Sequence, residues 1–374
     1  MSTFFRTFAV YNPFIQTKII YMRTIFKLVL FLSIPTIAIS CGSAKKTGST
    51  AGNKIEVQAV SIAFYNLENL FDTINQSNND EEFLPEGAMK WTGYKYKAKL
   101  KNMSYVLSQL GLDITPHGPS IIAVSEIENR GVLEDLVKQP SIANRTYQIV
   151  HYDSPDRRGV DVGLIYNPRD YVVTNSKSYV LQTNDTSFHT RDQLVVSGYL
   201  LNEKVHVIVA HWPSRIGGDV ASEPKRVAAA GLTKSIIDSL YRVDPKAKII
   251  FMGDLNDDPY NKSTAVTLGA KRNIEDVAPN GLYNTLWRTL DSGVGSLAYN
   301  NQWNLFDQII ISAPFLNKDK KTLTYWKSEV FNKRFLIQQE GSYKGTPMRT
   351  HAGGVWLNGY SDHFPTLIYL VKEK

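Results

Sequence analysis

In the stretch Ile249-Ile-Phe-Met-Gly-Asp-Leu-Asn256, four apolar residues run into a glycine, and an acid and an amide then follow one residue apart. In extended backbone, residues i and i+2 point to the same side. Asp254 and Asn256 are therefore expected to project together from the end of a buried strand. A carboxylate can take a proton from water, and an amide can hold a phosphate oxygen. Further polar residues stand where other apolar runs stop: Asn66 after Ser61–Tyr65, Glu126 after Ile121–Ser125, His211 after Val205–Ala210, and Asp362-His363 before Phe364–Leu370. Asp307 interrupts the run Leu305–Ile311, where a buried, unpaired acid would be costly, which favours a site role. This set is rich in oxygen donors, without cysteine and without a His-x-x-x-His pair. It suits Mg²⁺, Mn²⁺ or Ca²⁺ better than zinc. Histidines beside acids suit the stabilisation of charge on a phosphoryl group. Arg215, four residues after His211, is a candidate phosphate contact, and so is Arg158 in the charged loop Asp153–Asp161, for which a solvated loop is the alternative reading.

These groups need strands that end near one another. Apolar runs predict strands at Val57–Tyr65, Ser120–Ser125, Tyr147–Tyr152, Val160–Tyr166, Tyr179–Gln182, Gln193–Leu201, Lys204–His211, Lys248–Met252, Leu305–Ser312 and Phe364–Val371. Helical spacing predicts helices over Tyr94–Leu110, Val132–Lys138 and Glu223–Tyr241. The aromatic-rich stretch from Trp326 to Tyr343 reads as an inserted loop or as ordinary packing. Strands dominate, and two long helices each precede a buried strand, so an α/β arrangement of packed sheets with helices outside is expected. With 374 residues, 43% of them hydrophobic, one large domain can bury its own core. No internal repeat or heptad pattern interrupts residues 55–374.

The first forty residues have another character. Met22-Arg-Thr-Ile-Phe-Lys27 is a short basic segment, Leu28–Ile39 is apolar, and Ser40-Cys41-Gly42 follows. The pattern is that of an export signal with Met22 as the natural start, too short for a membrane span. Cys41 is the single cysteine of the chain and ends that signal, as in a bacterial lipoprotein whose cysteine carries lipid. Residues 41–54, small, polar and rich in Gly and Ser, read as a flexible tether. The protein is thus expected in the cell envelope, lipid-anchored to a membrane, facing the periplasm or the surface, and as a monomer. Arg6, Lys18, Arg23 and Lys27 belong to the signal, so the rest of the chain has 38 basic residues against 35 acidic ones, a net +3 rather than +7. That balance accommodates phosphate-bearing substrates without arguing for them.

The series Tyr65-Asn66-Leu67-Glu68, Ser125-Glu126-Ile127-Glu128, His211-Trp212-Pro213-Ser214-Arg215, Gly253-Asp254-Leu255-Asn256, Phe306-Asp307-Gln308-Ile309 and Ser361-Asp362-His363 occurs in this order. It resembles the endonuclease/exonuclease/phosphatase superfamily of DNase I-like nucleases, abasic-site endonucleases, inositol polyphosphate 5-phosphatases and sphingomyelinases. The resemblance spans about residues 55–372. It implies a four-layer α/β sandwich, with two mostly antiparallel sheets packed face to face and helices on the outside. It also implies metal-dependent hydrolysis of a phosphate ester. Carried onto this sequence, Glu126 is the main metal ligand with Asn66 beside it, and Asp307 is a supporting or second metal position. Asp254 handles the attacking water. Asn256 and His211 hold phosphate oxygens, and His363 binds the phosphate, kept cationic by Asp362. A nuclease is the first reading of the substrate. A phospholipid, inositol phosphate or other small ester is the alternative, and a binding lipoprotein with a degenerate site is disfavoured because every acid and histidine is present.

Overall fold

A computed structural model describes residues 56–299 and 302–374. The expected export signal, Cys41 and the tether lie outside these residues. Two sheets form the centre. Across the first, the strands run Thr324–Val330, Thr366–Glu373, Val57–Leu70, Ile121–Ile127, Asp161–Tyr166 and Gln148–His151. Across the second they run Tyr171–Tyr179, Gln193–Leu200, Glu203–His211, Lys248–Asp254, Asp307–Ser312, Leu282–Asn284 and Ala270–Lys271. Neighbours are antiparallel except Val57–Leu70 with Ile121–Ile127, Glu203–His211 with Lys248–Asp254, and Leu282–Asn284 with Ala270–Lys271.

The apolar runs are continuous because both faces of these strands are covered. In the second sheet, Val207, Val209, Ile250, Met252, Ile309 and Ile311 face inward, into one core shared with Ile62, Phe64, Ala123 and Leu367 of the first sheet. Their alternating neighbours Ile208, Ala210, Ile249, Phe251 and Ile310 face outward, onto Ala229, Ala230, Ile236 and Ile237 of the helix Asp219–Val243. The first sheet is covered by Leu100, Met103, Val106 and Leu107 of the helix Gly93–Gln109 and by Val132, Leu133 and Leu136 of the helix Arg130–Val137. Helix, sheet, sheet and helix make the expected four layers.

Several elements differ from expectation, among them Leu282–Asn284 and Ala270–Lys271, which no apolar run announced. The strand read at Tyr179–Gln182 is Tyr171–Tyr179; its middle, Thr174-Asn-Ser-Lys177, lies on a sheet edge open to solvent and carries no apolar period. Thr324–Val330, taken into the aromatic loop, is the edge strand of the first sheet. The long helix begins at Asp219 rather than Glu223. Its first turn is tied by side chains, with Ser222 Oγ donating to the Gly218 carbonyl at 2.7 Å and Arg226 reaching Asp219 at 2.6 Å.

Candidate active site

His211, Asp254 and Asp307 lie side by side because their strands are in register. Asp254 is the Cα partner of His211 on one side and of Asp307 on the other. Each continues the inward row of its strand, after Val209, Met252 and before Ile309, so the side chains emerge between the two sheets at one end of the sandwich. Gly253 makes the row possible: a Cβ there would sit 2.0 Å from the Ala210 carbonyl oxygen of the neighbouring strand.

The first sheet supplies the opposite wall through two irregularities. Val57–Leu70 shifts register between Asn66 and Leu70, and Ile121–Ile127 shifts between Ser125 and Ile127. Bulges of this kind re-aim side chains. Glu68, Asn69 and Glu126 adopt left-handed backbone there, at φ 47°, 51° and 57°, a costly conformation that clusters at functional sites. Asn66 is fully buried; its Nδ2 donates to Asp254 Oδ2 at 3.0 Å, and its Oδ1 accepts the Glu68 N–H at 2.8 Å. Glu126 Oε2 accepts the Asn69 N–H at 3.1 Å. Its Oε1 faces Arg158 Nη2 at 3.4 Å and His211 Nε2 at 4.0 Å.

The two imidazoles carry opposite tendencies. Burial, joined by Arg191, Arg158 and His363, pushes His211 well below the ordinary imidazole range, so it is neutral at pH 7. Burial pulls His363 down as well, but the charge and hydrogen bond of Asp307, with Asp362 and Asp254 behind, hold it well above that range. The partner that matters is Asp307, not Asp362 as expected. His363 Nδ1 lies 2.7 Å from Asp307 Oδ2, whereas Asp362 is 3.9 Å from Nε2 and partly in solvent. Asp307 itself is fully buried, and its Oδ2 also accepts from Ser296 Oγ. It therefore stands behind the imidazole as an orienting group rather than at an open ligand position. Asp254 lies 3.5 Å from His211 Nε2 and 3.9 Å from His363 Nε2. Burial raises its pKa to about 6.

Asn256 and Arg215 depart from expectation. The strand stops at Asp254, and Asn256 turns at φ 50°, so the same-side projection of an extended chain is not realised. Asn256 N–H instead donates to Asp254 Oδ1 at 3.0 Å, and its Nδ2 to the Trp212 carbonyl at 3.0 Å. Arg215 is committed within the protein, to the Asn256 carbonyl at 2.8 Å and Asp257 at 3.1 Å, and it braces the turn instead of facing substrate. Arg158 is the more open cation, beside Glu126 and 2.7 Å from Asn69 Oδ1.

Sequence reading overlooked several supports. Arg191 holds the His211-Trp212 turn by donating to both carbonyls, at 3.2 and 2.7 Å, while pairing with Asp156 at 3.0 Å. Ser361 Oγ donates to the Asn66 carbonyl at 2.7 Å and accepts the His363 N–H at 3.1 Å, which ties the two ends of the chain across the site. Lys99, wholly buried, lies 4.0 Å from Glu68 and donates to Thr350 Oγ1 and the Tyr360 carbonyl, both at 2.5 Å. Burial and then Asp362 raise Glu68, and burial lowers Lys99. None of these is announced by a strand end; only Glu68 and Ser361 sit inside the motifs quoted above.

A divalent cation fits the acidic wall. Glu126 is partly exposed, and no hydrogen-bond donor is fixed on its Oε1 beyond the 3.4 Å approach of Arg158. Asn66, in register with Ser125, and the Asp254 it is bonded to add oxygen atoms to this wall, and hard oxygen donors suit such an ion. Asp254, Asp307 and His363 also approach within 4.8 Å of one another. His363 Nδ1, however, is already taken by Asp307 Oδ2 at 2.7 Å, and Ser296 Oγ donates to the same oxygen.

A cavity of about 570 Å³ is lined by Gln302, Trp303, Tyr343, Lys344, Thr346 and Arg349, among others, and Trp303 stacks on Phe364, the residue after His363. Arg349 Nη2 reaches to 4.0 Å from Asp362.

Over residues 61–372, the sequence matches the model of the endonuclease/exonuclease/phosphatase family. The chain belongs to that family. Members of the endonuclease/exonuclease/phosphatase family are phosphoesterases. Solved structures agree in fold. An endonuclease/exonuclease/phosphatase family protein of Bacteroides thetaiotaomicron is 15% identical, with a TM-score of 0.51, covering 85% of this chain and 97% of that one. A mannosyl-6-phosphatase of the same organism is 16% identical, with a TM-score of 0.51, covering 83% and 99%. Truncated TDP2 of Caenorhabditis elegans is 16% identical, with a TM-score of 0.47, covering 83% and 97%. Among curated proteins, none matches the sequence.

Proposed function

We propose that this chain is an exported, Mg²⁺- or Mn²⁺-dependent phosphodiesterase acting on nucleic acid, with Ca²⁺ as a further candidate metal. The observation that carries the reaction is the convergence of a neutral His211 and a cationic His363 on one buried carboxylate, Asp254, at 3.5 and 3.9 Å. Asp254, with a pKa of about 6, is ionised at neutral pH and can take the proton of the attacking water as its oxygen bonds to phosphorus and the ester P–O bond breaks. The His363 imidazolium, locked by Asp307, offsets charge on a non-bridging oxygen, and neutral His211 donates one hydrogen bond to another. Asn66 holds Asp254 in place. Glu126, with Asn66 beside it, would hold the metal, which when bound polarises the phosphoryl group.

For the substrate, nucleic acid is supported by partly exposed cations and a ring near the acids: Arg158 beside Glu126, Arg349 4.0 Å from Asp362, and the 39%-exposed Trp303. A small phosphate ester is the second reading; the cavity beside Asp362 is of a size for one or two rings rather than a duplex. Purified protein assayed on single- and double-stranded DNA, RNA, sphingomyelin, phosphoinositides and sugar phosphates, with each metal and with EDTA, decides between them. Inertness on every nucleic acid in all three metals sinks the nuclease reading.

The envelope location rests on the basic segment, the apolar run and the single Cys41. A lipid-anchored monomer is expected to partition with membranes and to become soluble in the Cys41→Ser variant. A variant that stays membrane-bound contradicts the lipid anchor.

A further inference from the structure

We propose that the cavity between Trp303, which stacks on Phe364, and Arg349, which reaches toward Asp362, is a stacking site for the nucleobase next to the scissile phosphate, with Trp303 as its platform and Tyr343, Lys344 and Arg349 as its further lining. This rests on the phosphodiesterase reading above and adds to it a specificity pocket.

The platform is built onto the catalytic row. Phe364 directly follows His363 and is buried; its ring stacks on Trp303 at 5.9 Å between centroids and 18° between planes. Phe364 thus covers one face of the indole, which still lines the cavity. Trp303 belongs to a hairpin, Leu297–Tyr299 with Gln302–Asn304, that is pinned to the site. Asn304 Nδ2 and the Leu305 N–H both donate to the buried Asp258, at 2.8 and 2.7 Å. Ser296 N–H donates to the Asn304 carbonyl at 2.8 Å, while the Ser296 hydroxyl reaches Asp307. A large ring exposed on a rigid, catalytically connected hairpin has surface to give to a ligand.

The further lining adds a second ring and two cations. The Arg349 guanidinium lies 4.8 Å over the Tyr343 ring. Its nearest acid is Asp362 at 4.0 Å. Neither Arg349 nor Lys344 donates a side-chain hydrogen bond among the described residues, so both can meet phosphates flanking a stacked base. Backbone pairing fixes the segment that bears Arg349: Tyr360 N–H donates to Met348 O at 2.6 Å and Leu357 N–H to Thr350 O at 2.8 Å. Aromatic platforms interleaved with cations are how single-stranded nucleic acid is held. A bare phosphate would use only the cations, and an acyl chain would be met by charged walls.

The test uses two readouts on the full domain with Mg²⁺. In calorimetric titration, dTMP is expected to bind at least tenfold more tightly than inorganic phosphate or mannose 6-phosphate. Trp303→Leu, which keeps an apolar side chain against Phe364, and Tyr343→Ala, on a separate segment, are each expected to remove about tenfold or more of that advantage. In turnover, thymidine 5′-(4-nitrophenyl phosphate) is expected to have a higher kcat/KM than methyl 4-nitrophenyl phosphate. The ratio should fall in both variants through KM. The pocket assignment is overturned if dTMP binds no better than phosphate, if mannose 6-phosphate binds as well as dTMP, or if the variants slow both esters equally, which would make Trp303 a support for His363. Hydrolysis of both esters at equal kcat/KM by the unaltered protein removes the pocket and leaves the phosphodiesterase reading. Hydrolysis of neither, with any of the three metals, removes both.

Discussion

Asp307 Oδ2 lies 2.7 Å from His363 Nδ1, while the sequence neighbour Asp362 comes no closer than 3.9 Å to the same ring. A buried imidazole is cationic only if a fixed anion offsets its lost hydration. Asp307→Asn is therefore expected to drop the His363 pKa, followed by NMR titration of the ring, and to cut kcat by about 10²-fold or more. Asp362→Asn, altering a group half in solvent, is expected to cost less than about tenfold and to shift the ring far less. Equal effects of the two substitutions would contradict the pairing.

Metal removal gives a second expectation. Dialysis against EDTA abolishes turnover, and Mg²⁺ or Mn²⁺ restores it. Glu126→Gln keeps the shape and the Asn69 contact but loses the charge, so the metal concentration for half-maximal activity rises about tenfold or more. Calorimetric metal titration reads the same change without turnover; unchanged metal affinity would place the ion elsewhere.

The pair Lys99 and Glu68 makes stability depend on pH in a definite direction. Lys99→Met leaves Glu68 buried with no cation and costs roughly 3–5 kcal/mol at pH 8. Burial already raises the Glu68 pKa, and losing Lys99 raises it further. An acid raised in the folded state is destabilising while ionised. That penalty is complete above its folded pKa, shrinks as pH falls through it, and is gone below the unfolded value near ~4.3. The loss measured by urea unfolding should thus be larger at pH 8 than at pH 5.5. An equal loss at both would mean that Glu68 is not the group left behind.

Gly253 is required by its neighbour rather than by its own backbone angles. Gly253→Ala drives a methyl group against the Ala210 carbonyl, at 2.0 Å before any relaxation. Overpacking of this kind costs roughly 1–3 kcal/mol or more, and here the adjustment moves His211 against Asp254. Activity is expected to fall further than the melting temperature indicates; full activity in a destabilised variant would show that the row tolerates displacement.

Much of this architecture was legible in the chain because central strands announce themselves. Ile249–Met252 and Val205–Ala210 are apolar throughout since a sheet lies on one side and a helix on the other. The polar residue ending each run marked the site. Two edge strands were not legible: Tyr171–Tyr179 and Thr324–Val330 carry polar or aromatic residues without a clean period, whereas the edge strand Gln148–His151 was. Nor could spacing reveal which acid serves His363, because Asp307 reaches it through sheet register and a bulged partner strand, whereas Asp362 is adjacent only along the chain. Arg215 looked free in sequence; its partner Asp257 lies 42 residues away.

The strand Thr366–Glu373 is the last element of the chain, yet it lies between Val57–Leu70 and Thr324–Val330 in the middle of the first sheet's edge half. His363 and Ser361 arrive with it. A chain cut before residue 361 therefore keeps Asp254, His211 and Glu126 but loses His363 and leaves a sheet with an open seam. The strand that closes this sheet and the imidazole facing Asp254 thus stand or fall together: a cut at this point removes a structural seam and a site group in one event.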